Sequence, residues 1–264
     1  MTDYPLPNNS ADLTGRVALV TGASSGLGAR FARVLAAQGA AVALCARRKD
    51  RLEALAAEIE AAGGRALAVQ MDATDADSMI AAVAAAEEKF GTVDILVNNA
   101  GMPDAQRAHK MSVELIDNVI GVNLRGPWIL SCEVARRLIA AGKPGRMVNI
   151  SSVAHYKYDG NGAALYAVTK TAIARMTDAL SMEWAPYNIN VNAIAPGMFV
   201  SEMTDGMFER MGGNPAPHVA RKRIPVPEQM DSTLLYLVAP ASECVTGAII
   251  KIDDGQGSAV RLRS

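Results

Sequence analysis

The five residues Tyr166-Ala167-Val168-Thr169-Lys170 set a phenol and an ammonium one helical turn apart, on the same face of any helix they form. A free tyrosine titrates near ~10, too high for easy proton exchange at neutral pH, and a nearby cation favours the phenolate. The pair therefore has the ingredients of a general acid/base. Other polar residues keep it company. Ser151 and Ser152 close the apolar run 145–151, and Asn98-Asn99-Ala100-Gly101 closes the run before it. Asn123 stands inside the apolar stretch VIGVNLRGPWIL, where a side-chain amide must find a partner or destabilise the fold. Each signal alone has an ordinary explanation: an exposed helix pair, helix-capping serines, or an asparagine bonded to its own helix.

The elements that would position these groups can be read from periodicity. Continuous apolar runs at 16–22, 41–46, 65–71, 93–99, 145–151, 188–195 and 247–253 predict seven strands covered on both faces. Helical patterns fall between them, at about 26–38, 49–62, 75–90, 112–141, 164–185 and 228–239. Gly39 and Gly63 fall just past two of these helices, and Thr74 or Asp75 can cap a third. Strict strand–helix alternation predicts an α/β fold: one doubly wound domain with a seven-stranded parallel sheet and helices on both faces. The domain spans 12–264, after an N-terminal extension at 1–11. The stretch 197–227 breaks the rhythm with glycines, prolines and Met198, Phe199, Met203 and Met207. A long apolar insertion after a strand's carboxyl end reads as a substrate lid, or else as a surface helix at a subunit interface.

Directly after the first strand comes Thr21-Gly22-Ala23-Ser24-Ser25-Gly26-Leu27-Gly28, leading straight into a helix. Glycines there permit a tight turn and close approach to a pyrophosphate, and the helix offers free N–H groups to an anion. The spacing is GxxxGxG, not the GxGxxG of the usual dinucleotide fingerprint. The second strand ends Cys45-Ala46-Arg47-Arg48, with no carboxylate for a ribose 2′-hydroxyl. Two guanidiniums suit a 2′-phosphate, so NADP(H) is preferred, with NAD(H) possible. Arginines solvating a helix start are the ordinary alternative.

The bulk composition narrows the function classes. The 264 residues carry 26 Lys plus Arg against 27 Asp plus Glu, which leaves no basic footprint for nucleic acid. Cys45, Cys132 and Cys244 are odd in number and far apart, so neither a disulfide framework nor a metal site is expected. The opening residues have no signal-peptide pattern and no run is long enough for a bilayer, which predicts a cytoplasmic protein.

Together these motifs resemble the short-chain dehydrogenase/reductase family in its form of about 250 residues. TGASSGLG, DATD, NNAG, Asn123, the serine pair, YAVTK and Ala195-Pro196-Gly197 follow the family's order and spacing over about residues 12–258. The commonest analogy is to 3-oxoacyl thioester reductases. The resemblance implies a Rossmann-type fold and hydride transfer between a nicotinamide coenzyme and a carbonyl or secondary alcohol. It implies that Tyr166 exchanges the proton, that Lys170 binds the nicotinamide ribose and lowers the Tyr166 pKa, and that Ser152 polarises the carbonyl. Asn123 would hold a water that relays protons from Lys170. The coenzyme would meet Gly22, Ser24, Ser25, Gly26, Leu27, Gly28, Arg47 and Arg48; Asp72 and Ala73 at adenine; and Asn99, Ala100 and Gly101 toward the ribose. Pro196, Gly197, Phe199 and Ser201 would flank the nicotinamide. Ser152, His155, Tyr158, Met198, Met203 and Met207 would face an apolar substrate. A homotetramer, or homodimer, through the helices at 112–141 and 164–185 is implied as well. Two features depart from the family pattern: HYKYDGNGAAL is about one residue longer than in many relatives, and Val226 replaces a usual glycine. The alternatives are an NAD-dependent alcohol dehydrogenase of the same family and a coenzyme sensor without turnover.

Overall fold

All seven expected strands form, six within the stretch read from the apolar run and β6 one residue past its end: β1 (Val17–Thr21), β2 (Ala41–Ala46), β3 (Arg65–Gln70), β4 (Ile95–Asn98), β5 (Gly145–Ile150), β6 (Ile189–Pro196) and β7 (Ile249–Ile252). The computed structural model describes residues 6–257 apart from 159, 161, 203, 205–207 and 209–212. The strands make one parallel sheet in the order β3-β2-β1-β4-β5-β6-β7. The chain therefore winds outward one way from β1 and the other way from β4, and the crevice between these strands opens at their carboxyl ends.

Seven α-helices cover the sheet among the described residues: α1 (Gly26–Ala37), α2 (Lys49–Ala61), α3 (Ala76–Phe90), α4 (Val113–Ile120), α5 (Gly126–Ala141), α6 (Ala164–Trp184) and α7 (Asp231–Val238). The alternation of side chains along each strand sends residues to both faces. Ala18 and Val20 of β1 join Phe31 and Leu35 of α1, Leu52 of α2 and Leu234 of α7 on one side. Val17 and Leu19 join Met79 of α3, Leu138 of α5 and Met176 of α6 on the other. The inner strands are buried on both faces, which is why they carry no hydrophobic–polar alternation.

The predicted helix at 112–141 is two helices joined by a π-helical turn, Gly121–Arg125. The cause lies in Pro127. An α-helix would ask it for an N–H to the carbonyl of Asn123, and proline has none. The widened turn instead closes with Gly126 N donating to Gly121 O. Asn123 is buried in this turn and faces the next residues of the site.

Candidate active site

The glycine turn after β1 sits at the crevice, and its shape depends on β4. Gly22 is left-handed at φ 66°. Asn99 Nδ2 donates to Thr21 O at 2.9 Å and Gly22 O at 3.4 Å. Thr21 Oγ1 accepts from Asn99 N at 3.0 Å and Ala100 N at 2.9 Å. A Cβ at Gly28 would lie 2.3 Å from Gly22 O, so helix and turn meet backbone to backbone. No side chain caps α1, whose first N–H groups are left for an anion. The Asn99 amide nitrogen is thus spent inward on the turn, where it shapes the phosphate cradle.

Around the cradle stand the arginines. Arg48 donates to Ser24 Oγ at 3.0 Å and Ser25 Oγ at 2.8 Å, and its Nη1 lies 3.2 Å from Glu202. Arg51 pairs with the same carboxylate at 2.5 Å. Arg48 is thus engaged by protein groups, and exposed Arg47 lies at the rim of a 440 Å³ cleft with Gln70, Met71, Asp72 and Ser78. Asp72 Oδ1 accepts from Thr74 N and Thr74 Oγ1, both at 2.8 Å. Those bonds, with Arg47 nearby, hold its carboxyl below the usual range. The neighbouring Ala73 carbonyl lies 2.5 Å from where a Cβ on Gly126 would sit. The backbone thus runs close against α5 there.

The end of β5 and the helix α6 are stitched together twice. Ser151 Oγ donates to Lys170 O at 2.9 Å, and Lys170 Nζ donates to Ile150 O at 2.8 Å. Ser151 is therefore a tie, while its neighbour Ser152 lies beside the Tyr166 phenol and eases its pKa. Ser152 Oγ also accepts from Ala154 N at 3.1 Å, so a short helical turn orients it. Lys170 is only 4% exposed, and burial draws its pKa from 10.5 down to about 8. Its Nζ lies 5.5 Å from the Tyr166 ring centroid. The phenol itself is pushed up by burial, eased by Ser152 and raised further by Asp104. This corrects the expected direction. Loss of water around the phenol is the largest cause, and Ser152, not Lys170, is the group that eases it.

Asn123 Oδ1 accepts from Met102 N at 2.8 Å, and Nδ2 donates to Met102 O at 2.9 Å and Thr169 Oγ1 at 3.3 Å. Both amide protons are taken, which leaves one Oδ1 lone pair for a water. Gly101 lies between Lys170 and Asn123: a Cβ there would sit 3.5 Å from Nζ and 3.6 Å from Oδ1.

On the far wall, Pro196 ends β6 and Gly197 N donates to Ile252 O at 2.8 Å. Gln256, absent from the sequence-based set, clamps Met198 by accepting from its N at 2.6 Å and donating to its O at 3.1 Å. The Phe199 side chain is buried and belongs to the apolar core that also holds α1 and α7. Ser201 lies against the glycine turn, its Cβ 3.6 Å from the position of a Cβ on Gly26. The ring of His155 bonds through Nδ1 to Ser152 O at 2.7 Å and meets Tyr156 edge-on, while Tyr158 is exposed. Met203 and Met207 lie outside the described residues. Asp104, Glu202 and Gln256 carry no motif, and sequence spacing offers no signal for any of them.

Comparison with known proteins agrees with this geometry. A family model described as short chain dehydrogenase matches residues 16–212. The short-chain reductase protein NovJ of Streptomyces niveus is 40% identical over 91% of this chain and 93% of its own. An NAD-dependent glycerol dehydrogenase of Listeria innocua is 34% identical over 92% and 94%. Among solved structures, a short-chain type dehydrogenase/reductase from Mycobacterium marinum superposes with a TM-score of 0.89 at 31% identity, covering 93% of this chain and 97% of that one.

Proposed function

This chain belongs to the short-chain dehydrogenase family, oxidoreductases of alcohol and carbonyl groups, and from that premise we propose that it transfers a hydride between NADP(H) and an apolar carbonyl or secondary alcohol, with Tyr166 as the acid/base. The observation that carries this reading is the convergence of Ser152, Tyr166 and Lys170 beside the glycine cradle at one edge of the sheet.

The cradle fits a dinucleotide. Gly22 and Gly28 admit a backbone that no larger residue would allow, and the uncapped start of α1 suits a pyrophosphate. Gly22 to Gly28 would hold it, Arg47 and Arg48 would face a 2′-phosphate, and Lys170 would bind the nicotinamide ribose. The coenzyme, when bound, supplies or accepts the hydride. Ser152 donates a hydrogen bond to the substrate oxygen, and Tyr166 donates its proton to the same atom in reduction or removes it in oxidation. Because burial raises the phenol, Tyr166 holds its proton more firmly than a free tyrosine does. Lys170 is charged below about 8 and loses that charge as pH rises through it.

Met198 and the lid at 197–227 form the substrate side of this reading, with His155 and Tyr158 at the mouth. A homotetramer or homodimer through α4–α6 accords with a 670 Å³ apolar groove there, lined by Ile120, Leu124, Trp128 and Met176. No helix among the described residues is long and apolar enough to cross a membrane, and a cytoplasmic location completes the reading.

One observation favours NAD instead: Glu202 already engages Arg48 and Arg51. Rates with NADPH and NADH on short acyl thioesters, cyclic ketones and quinones separate the two. NADP preference predicts a faster NADPH reaction that Arg47→Ala equalises; equal rates in the unaltered protein refute it. Tyr166→Phe should lower turnover by about 10²- to 10⁴-fold with coenzyme binding intact. Undiminished turnover would refute the role of Tyr166.

A further inference from the structure

The helix that carries Tyr166 starts at Ala164 after Ala163, and neither alanine can cap it. Its first N–H groups are satisfied from elsewhere. Leu165 N and Tyr166 N donate to Asp104 Oδ2 at 2.9 and 3.2 Å, across more than sixty residues of chain. The other oxygen, Oδ1, accepts from Ala105 N at 2.8 Å. Asp104 is 3% exposed, and among the described residues no ion pair reaches it. Three backbone N–H groups and the positive end of α6 are what hold this buried carboxylate. Ala105, next in the chain, is left-handed at φ 49°, a conformation an alanine adopts only under constraint.

A neutral serine or asparagine would cap a helix as well as an aspartate does. A buried charge costs more, and here it lies against the backbone of the residue that exchanges the proton. We infer that Asp104 is a positioning residue: it seats Tyr166 by capping α6 from a distant loop, and it holds a negative charge at the root of the reacting phenol. This rests on the reading of Tyr166 as acid/base.

The charge has a definite sign of effect. Around the Tyr166 ring stand Lys170 on its own helix, Ser152 at the end of β5, and Asp104 on the loop after β4. His155, on the turn after Ser152, has its Nδ1 committed to Ser152 O. Asp104 makes the phenol a weaker acid and keeps it protonated to higher pH. Its removal moves the alkaline limb of the reductive pH profile downward.

Two variants separate seat from charge. Asp104→Asn keeps an oxygen for the two α6 N–H groups and discards the charge together with the bond from Ala105 N, whereas Asp104→Ala discards all three. Hydrogen exchange at the amides of Leu165 and Tyr166 reads the cap without any turnover. In Asp104→Ala it should quicken by about five- to tenfold, and in Asp104→Asn it should stay within about threefold of the parent protein. Turnover number should fall at least about tenfold in Asp104→Ala at unchanged coenzyme affinity. Asp104→Asn should keep most of it, with its alkaline limb lower by about half a pH unit or more. Unchanged amide exchange in Asp104→Ala, or an unmoved limb in Asp104→Asn, overturns the inference. A parent protein that turns over no carbonyl overturns the Tyr166 reading instead, and the exchange measurement still decides the cap.

Discussion

Lys170 is an ammonium held in the interior by one carbonyl, and that arrangement has a cost that can be measured without any substrate. Burial takes its pKa from 10.5 to about 8, a gap that corresponds to about 3.4 kcal/mol of folding free energy lost at neutral pH, taking about 1.36 kcal/mol per pH unit. The sign follows from proton counting. Between about 8 and 10.5 the unfolded chain holds the proton and the folded chain does not, so stability rises with pH through that window. Integrated from pH 7 to pH 9.5, the gain is about 2 kcal/mol. Lys170→Met removes the titrating group while keeping an unbranched side chain in the same space, so it cancels every other pH-dependent contribution when the two proteins are compared. Urea unfolding at the two pH values, followed by the fluorescence of buried Trp184, gives the difference. The parent protein should gain on Lys170→Met by about 2 kcal/mol on going to pH 9.5. Parallel behaviour, or a parent protein that loses ground, would mean that Lys170 is not a desolvated ammonium.

Other outcomes follow from the same geometry. Ser151→Ala should cost about 1 kcal/mol of stability by cutting the tie to Lys170 O, with turnover little changed, whereas Ser152→Ala should leave stability nearly intact and cost about 10²-fold in turnover; thermal melts and steady-state rates distinguish them. Gly28→Ala should abolish coenzyme binding measured by NADPH fluorescence, because its Cβ would lie 2.3 Å from Gly22 O and force α1 away from the turn. Phe199→Ala should lower stability by about 3–5 kcal/mol through the cavity left in the core, with little change in coenzyme KM.

Much of this architecture is legible in the chain because its causes are local. Strands buried on both faces must be apolar throughout, and runs such as VALVT and AVALCA have few other structures open to them. The glycine turn and the Tyr166–Lys170 spacing are equally local. What escaped was set by distant parts of the chain meeting. Asp104 reaches α6 from a loop that has no pattern of its own, and Gln256 clamps Met198 only because β6 and β7 lie side by side. Phe199 reads as a lid residue by position, yet its ring turns into the core. The direction of the Tyr166 pKa is hidden for a related reason: a neighbouring cation is visible in sequence, whereas the removal of water is not. The break within 112–141 had a visible cause in Pro127, but a proline one position into a new helix is well tolerated, so its effect on the turn before it is easy to miss.

That turn constrains how the gene can change. A π turn is a helix with one residue to spare, and each residue of an α-helix advances the chain by about 100°. Deleting a single amino acid between Gly121 and Arg125 would let regular winding resume, at the expense of swinging either Asn123 off Met102 or the whole apolar face of α5 off the sheet. Exposed side chains nearby are free to drift, but the number of residues separating Ser112 from Gly142 is not. Length, more than identity, is what natural variation in this stretch should be found to preserve.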